Sequence, residues 1–168
     1  MTARRLPAVA ALLSLCATAL TACGGDPDEP LPEPVSVAGP MWQVTDIYTT
    51  PGEPSSVPPG AAGAVGLIFG SGSATGSTGC APIQARVEYS ADGKPATVDD
   101  ADAVTFDIVD LGPVEGECAG SDAWTHGHMT ELIVPGAQFD MSMTTPTELV
   151  LRVRDEAVDP PSIRLVAL

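Results

Sequence analysis

The side chains best suited to metal binding or acid–base chemistry are His126 and His128, the only histidines in the chain. They lie two residues apart in a segment whose apolar spacing predicts a helix, where such positions point about 200° away from each other. They cannot share one metal ion there, although on a strand or a frayed helix end they would lie on one face. Neither a cysteine nor a clear carboxylate spacing accompanies them. We expect packing or surface histidines, no bound metal and no cofactor.

Other catalytic motifs find little support in the sequence. The chain has no Gly-x-Ser-x-Gly motif. Gly70-Ser71-Gly72, with Gly76 beyond it, follows an apolar segment but lacks the dinucleotide-binding spacing and a following helix, so it predicts a glycine-rich hairpin. The carboxylates stand mostly beside polar or turn residues, as on a solvated surface. We predict a protein that is not an enzyme, and a cell-wall hydrolase with a carboxylate or histidine cleft remains the alternative.

The amino-terminal residues indicate that the protein is exported. Arg4 and Arg5 precede a nearly continuous run of Ala, Leu and Val over residues 6–20, which is shorter than the roughly 20 apolar residues of a membrane-spanning helix. The motif Leu20-Thr21-Ala22-Cys23 resembles the lipobox of bacterial lipoproteins. This resemblance implies that residues 1–22 are a signal peptide, that Cys23 carries lipid such as palmitate, and that the protein is anchored on the extracytoplasmic side of the cell membrane. The alternative is an ordinary secreted protein in which Cys23 has no role.

Processing at this motif would leave two of the four cysteines with free sulfur atoms. Cys16 leaves with the signal peptide and Cys23 is lipidated, so Cys80 and Cys118 remain. Outside the cytoplasm, two thiols in one small domain predict a disulfide bond, which would stabilise the fold by about 3–4 kcal/mol on the chain-entropy model. The alternative is two reactive thiols, which no Cys-x-x-Cys spacing supports.

The charge of the chain excludes one class of partner. The sequence has 7 basic and 22 acidic residues, a net charge of −15. The signal peptide contains two of the basic residues and none of the acidic ones, so the processed chain has a net charge of 5 − 22 = −17. Such a surface repels nucleic acid and anionic lipid headgroups. We therefore expect no nucleic-acid partner, and membrane attachment only through the lipid.

The remaining chain divides into a tether and one domain. Residues 23–40 alternate proline with acidic residues, which favours an extended tether. Residues 41–168 suit a single domain. In that domain, the Pro-, Gly- and Ser-rich residues 50–63 predict a loop that is either functional or simply mobile.

The pattern of the domain is mainly β. Apolar or alternating segments predict strands, and an Ala-Asp-Gly-Lys turn follows the third of them. Helical spacing predicts one helix, capped at Ser121 or Asp122, that includes Trp124 and ends before Pro135-Gly136. The predicted strands cover residues 41–49, 64–69, 82–89, 104–109, 139–143, 148–153 and 163–167. We expect an α+β fold, mainly β, in which an antiparallel sheet curls into a small open barrel or sandwich with one helix packed on it.

The domain as a whole resembles the META/HslJ-like family of bacterial envelope proteins. The resemblance rests on Trp42-Gln43-Val44, on the apolar strand that ends at Phe69, and on Gly76-Ser77-Thr78-Gly79-Cys80. Cys118 then takes the place of the second cysteine, before the helix and two closing strands. Ala81 stands where the family often has asparagine. The resemblance implies a small β-rich fold with one helix, and a loose link to envelope stress or secretion.

Together these features predict an anchored, non-enzymatic binding protein. Its partner would be an envelope protein, a lipid or a small ligand on the extracytoplasmic side. The candidate contact surfaces are the loop of residues 50–63 and the helix surface formed by Trp124, His126 and His128. The alternative is that Trp124 belongs to the core and the loop is merely mobile. An enclosed cavity would favour a carried ligand, and a filled core with exposed apolar residues would favour a protein partner.

Overall fold

The structure is a computed structural model that describes residues 33–114 and 116–168. This part of the chain contains nine strands, one α-helix (α1) and a short 3-10 helix at Pro59–Ala61. In chain order the elements are β1 Met41–Tyr48, β2 Val65–Phe69, β3 Ser73–Thr78, β4 Pro82–Ala91, β5 Lys94–Pro95, β6 Ala103–Leu111, α1 Gly120–Leu132, β7 Ala137–Thr145, β8 Glu148–Val153 and β9 Ser162–Ala167. The predicted signal peptide, Cys23 and most of the predicted tether lie outside the described residues.

Eight of the described strands form a closed antiparallel barrel. Their order is β3-β2-β1-β9-β8-β7-β6-β4, and pairing of β3 with β4 closes the ring, while β5 extends β4 as an additional short strand. The prediction of a mainly β, antiparallel fold with one packed helix is confirmed. The barrel is closed rather than open because the glycine-rich segment after β2 contributes a strand of its own.

The glycine-rich hairpin predicted at Gly70-Ser71-Gly72 is confirmed as the β2–β3 turn, but hydrophobic alternation did not show the strand that follows it, β3. Its sequence, Ser-Ala-Thr-Gly-Ser-Thr, has little hydrophobic alternation, although Ala74 and Thr78 are buried. The glycine at position 76 permits close pairing with β2, because a Cβ there would lie 2.0 Å from the Gly66 carbonyl oxygen. Small side chains therefore allow β3 to close the barrel where larger ones would hold the strands apart.

The interior of the barrel is filled by side chains. Alternate residues of each strand point inward, and the largest of them, including Trp42, Phe69, Phe106 and Phe139, are almost completely buried. Phe106 and Phe139 meet edge to face, with ring centroids 5.6 Å apart. An eight-stranded barrel is just wide enough for such side chains to fill it. The core therefore occupies the space in which a ligand-carrying barrel would hold its ligand.

The two ends of the barrel carry different features. We call one end, where residues 35–40 lie beside the β7–β8 turn, the tether end; the amide of Val35 donates to the carbonyl oxygen of Pro146 there. The opposite end, which carries α1, the β3–β4 turn and residues 50–63, we call the helix end. In the described part of the chain, α1 is not long and apolar enough to cross a bilayer.

Residues 35–40, predicted as the last part of the tether, pack on the barrel. Val37 is buried, and its carbonyl oxygen accepts a hydrogen bond of 2.9 Å from the Trp42 indole. The Asp99 carboxylate accepts hydrogen bonds from the Ser36 hydroxyl at 2.8 Å and from the amides of Val37 at 2.7 Å and Ala38 at 3.3 Å. Asp99 thus fastens the segment that leads toward the amino terminus.

Replacing Asp99 with asparagine should destabilise the domain at neutral pH and have little effect at acid pH. The hydrogen bonds from Ser36, Ala38 and Val37 lower the pKa of Asp99 below its ordinary value of 3.8. Their contribution is present above that value and is lost as pH falls through the lower folded-state pKa. We expect a neutral-pH loss of about 1 kcal/mol, because solvent screens this exposed carboxylate. Urea unfolding of the natural protein and of Asp99→Asn, at neutral and at acid pH, measures the difference in their free energies of unfolding. An equal difference at both pH values would contradict the role of the ionised Asp99 carboxylate in these hydrogen bonds.

Tyr89 lies deeper at the same end of the barrel. The side chain is buried, and its hydroxyl oxygen has no hydrogen-bond partner among the described residues. Burial, followed by the nearby charge of Asp99, raises the pKa of Tyr89. Tyr89 therefore stays neutral at physiological pH and belongs to the core.

The loop of residues 50–63 is fixed to the barrel in this structure. Beyond residue 43, β1 no longer pairs with β2, and the loop pairs with that edge of β1 instead. The Ile47 amide donates to the Ser55 carbonyl oxygen at 2.7 Å, and the Val57 amide donates to the Thr45 carbonyl oxygen at 2.8 Å. Ala61 is completely buried, and Pro59–Ala61 packs against α1. The loop thus completes the barrel wall.

Candidate functional site at the helix end

A disulfide bond joins the two chain segments that meet at the helix end. Cys80, in the turn between β3 and β4, is bonded to Cys118, which lies just before α1, and their Cα atoms are 5.4 Å apart. The bond encloses a sequence separation of 38 residues. The predicted disulfide is confirmed, and it fixes the start of α1 against the barrel.

The turn beside this bond accepts α1 only because residue 79 is glycine. Gly79 has a φ of 100°, a left-handed conformation that L side chains rarely adopt. A Cβ at this position would lie 2.4 Å from the hydroxyl oxygen of Thr125 and 3.3 Å from the carbonyl oxygen of Asp122. The first turns of α1 therefore approach the backbone of the β3–β4 turn directly.

His126 is held by a threonine of the same turn. Its Nδ1 atom lies 2.7 Å from the hydroxyl oxygen of Thr78. That hydroxyl oxygen also accepts the Ala81 amide at 3.1 Å and lies 3.0 Å from the Ala81 carbonyl oxygen, to which it can donate. Although a hydroxyl beside an imidazole is the arrangement of an activated nucleophile, Thr78 has no exposed surface and its hydroxyl is used within the turn. The Thr78 hydroxyl therefore holds the turn and orients α1 through His126, whose side chain is partly exposed.

Trp124 and His128 form a second group on another face of α1. Their rings meet edge to face with centroids 4.5 Å apart, and the His128 Nδ1 atom lies 3.6 Å from a carboxylate oxygen of Glu131. Trp124 is half-buried and packs on the core. The Nδ1 atom of His128 has no hydrogen-bond partner among the described residues. These two side chains thus lie partly against the core and partly exposed at the rim of the helix end.

The structure separates the two histidines as the helical spacing predicts. His126 faces the β3–β4 turn, while His128 faces Trp124. Within the described residues, no group of three or more His, Cys, Asp or Glu side chains is arranged to hold a metal ion.

One surface depression brings two carboxylates together. Asp46, on the outer face of β1, and Asp159, in the loop before β9, line an open depression of about 230 Å³. The Ser56 hydroxyl donates to Asp46 at 3.0 Å, and the Tyr48 hydroxyl donates to Asp159. That hydrogen bond raises the pKa of Tyr48. Both carboxylates thus fasten neighbouring loops to the sheet.

Four other surface depressions of the described chain are also open to solvent. Their volumes range from about 290 to about 540 Å³. Three arginines pair with carboxylates on the outer surface: Arg86 with Asp107, Arg154 with Asp140, and Arg164 with Glu148. Among the described residues no charged side chain is buried as a whole, although one carboxylate oxygen of Asp122 is enclosed and has no hydrogen-bond partner there.

Sequence reasoning identified the cysteines and the helix but not their contact residues. The contacts that Thr78, Asp122 and Thr125 make around the turn at Gly79 became visible only in the structure. The available signal was Thr78-Gly79 immediately before Cys80, a pairing of a side-chain hydroxyl with a permissive glycine that is typical of a tight turn. The helix starts at Gly120 after Ala119, and no side-chain cap from Ser121 or Asp122 occurs within the described residues.

Comparison with known proteins supports the fold alone. A solved structure described as the "NMR structure of the protein from Burkholderia xenovorans" matches with a TM-score of 0.52 at 14% sequence identity, covering 86% of this chain and 98% of the other. No protein-family model matches the chain, and the comparison with curated proteins gives no match. Membership of the META/HslJ-like family therefore stays a prediction that rests on the sequence motifs.

Proposed function

We propose that the protein is a lipid-anchored, non-enzymatic binding protein of the extracytoplasmic membrane face, and that it binds a protein partner with its helix end. The observation that carries this proposal is the filled barrel, in which residues such as Trp42 and Phe106 occupy the interior. Within residues 33–114 and 116–168, the barrel interior that would receive a lipid or other apolar ligand is occupied by these side chains. Binding at the surface is then the function that this geometry favours.

The polarity of the barrel supports the choice of the helix end. If Cys23 carries lipid, the anchored chain enters the domain at residues 35–40, at the tether end. The helix end is the end of the domain opposite this entry point. It also carries Trp124 and His128, whose rings are partly exposed at its rim.

A cell-wall hydrolase is the weaker proposal because its candidate groups are committed to structural contacts. Thr78 beside His126 is buried, and Asp46 and Asp159 hold loop hydroxyls in an open depression. A hydrolase of this class needs a cleft in which such groups converge on substrate.

A fluorescent apolar probe distinguishes surface binding from carriage. We expect N-phenylnaphthylamine to show no saturable, one-to-one fluorescence increase with the purified processed protein. Saturable binding that is lost when an interior side chain such as Met141 is enlarged to tryptophan would show an accessible interior and overturn the proposal. The corresponding change at Ser142, which is exposed on the same strand, serves as the control.

Replacing Cys23 with alanine should release the protein from membranes. Two or three acyl chains at one cysteine hold a protein stably, whereas the acidic domain has no affinity of its own for anionic lipid. Membrane fractionation and palmitate labelling of cells that express Cys23→Ala or Cys16→Ala measure the effect. Cys16→Ala should behave like the natural protein, and membrane retention of Cys23→Ala would contradict lipidation.

A further inference from the structure

The barrel has two seams that open toward the helix end, and the chain covers one of them. At the first seam, β1 pairs with β2 only over residues 41–43, and the segment around Ser56 then adds to the edge of β1. At the second seam, β6 pairs with β7 only from Ala103 to Phe106. In the described part of the chain, no strand or bridge adds to that edge of β6 beyond Phe106.

The part of β6 beyond Phe106 has backbone N–H and C=O groups that point to the free edge. A register shift places Ile108 opposite Arg86, and the Gly112 amide then donates to the Pro82 carbonyl oxygen on β4 at 2.9 Å. Because successive residues of a strand turn their backbone groups to opposite sides, the N–H and C=O of Val109 and Leu111 point to the free edge. Four backbone groups, two donors and two acceptors, are thus arranged to receive one extended strand.

Apolar side chains accompany this edge. Ile108 is 41% exposed and Leu111 is 46% exposed, and Val114 in the following loop is exposed as well. Exposed strand edges invite strand addition, and the charged residues on such an edge limit which strands can add to it.

The charge of the surroundings indicates what kind of strand fits. Asp107 and Asp110 are exposed on the same stretch of β6, and Asp107 is the partner of Arg86. The whole chain has a net charge of −15, which opposes the approach of a second copy. An incoming strand that alternates apolar with basic residues complements both the apolar side chains and the acidic edge.

We propose that the free edge of β6, at Val109 and Leu111, is the docking site for an extended segment of a partner protein that alternates apolar and basic residues. The partner would add one strand to the sheet by backbone hydrogen bonding, as Ser56 and its neighbours do at the other seam. This inference rests on the proposed role in protein binding, and it identifies the free edge of β6 as the surface that binds the partner.

A synthetic peptide of about nine residues, a usual strand length, that alternates lysine and valine tests the proposal. Its control has the same sequence with every backbone amide N-methylated, which keeps the charge and removes the backbone donors on both edges of the peptide. We expect the first peptide to bind and to slow amide hydrogen exchange at Val109 and Leu111 roughly tenfold, which corresponds to about 1.4 kcal/mol, and the control to do neither. Equal binding by both peptides, no binding by either, or slow exchange at these amides in the free protein would overturn the proposal.

A variant pair separates the backbone from the side chain. Leu111→Pro removes the free amide and Leu111→Ala keeps it, so the proline variant should bind the peptide roughly tenfold more weakly than the alanine variant. Equal affinities would contradict backbone pairing. If the proline variant fails to fold, amide hydrogen exchange of the unaltered protein with the peptide tests whether the backbone of β6 pairs with it.

Two further outcomes distinguish this site from the broader function. A concentration-dependent dimer in sedimentation, with protection of the same amides, would overturn the heterologous partner and assign the edge to a second copy. Cross-linking of a partner from His128 without protection at Val109 and Leu111 would overturn the edge and leave the proposed function standing.

Discussion

Removing the Cys80–Cys118 bond should lower the free energy of unfolding by about 3–4 kcal/mol. The bond closes a loop with a sequence separation of 38 residues, and its loss gives that loop its conformational freedom in the unfolded chain. For a domain of this size we expect the melting temperature to fall by roughly 10–20 °C. Thermal and urea unfolding of Cys80→Ala/Cys118→Ala measure the change.

Chemical reduction of the unaltered protein provides the matched control. It removes the same bond without changing the core volume at Cys80, which is buried. The reduced protein and the double variant should therefore melt at similar temperatures. An unchanged melting temperature after complete reduction would contradict the role of the bond in holding α1 against the β3–β4 turn.

Replacing Gly76 with alanine should destabilise the domain by about 3 kcal/mol. The added Cβ would lie 2.0 Å from the carbonyl oxygen of Gly66 and 2.9 Å from its carbonyl carbon, so it must displace backbone atoms of the paired strand. Overpacking typically costs about 1–3 kcal/mol, and this contact involves backbone at the strand that closes the barrel. Urea unfolding measures the loss.

Gly127→Ala is the control for this substitution. Gly127 lies in α1, where a Cβ would meet nothing within 4 Å, so alanine should be neutral or stabilise the helix by up to about 1 kcal/mol. Similar effects of the two substitutions would contradict the tight pairing of β2 with β3.

Much of the fold could be predicted because most strands alternate clearly. In β4, for example, Ile83, Ala85 and Val87 are buried while the residues between them are exposed. The same rule failed for β3, whose inward positions include only Ala74 and Thr78, because close backbone approach replaces apolar burial there. Short-range patterns indicate which face is buried, but they do not indicate how close two strands come.

The site was predicted in part, for a similar reason. The disulfide could be predicted because Cys80 and Cys118 are the two cysteines that remain after the expected removal of the signal peptide and lipidation of Cys23. The separation of His126 from His128 could be predicted from helical geometry. The contact between His126 and Thr78 spans 48 positions in the sequence, and the free edge of β6 depends on where β7 stops pairing. Such long-range relations arise only when the barrel closes.

The most direct test of the central claim is site-specific photo-cross-linking in cells from the two ends of the barrel. A benzoylphenylalanine residue would replace His128 or Val134 at the helix end, and Ser71 or Thr147 at the tether end, in otherwise complete protein. We expect a discrete cross-linked protein partner from the helix-end positions and none from the tether-end positions. Cross-links from the tether end alone, or equal cross-links from both ends, would contradict the claim that the helix end binds the partner.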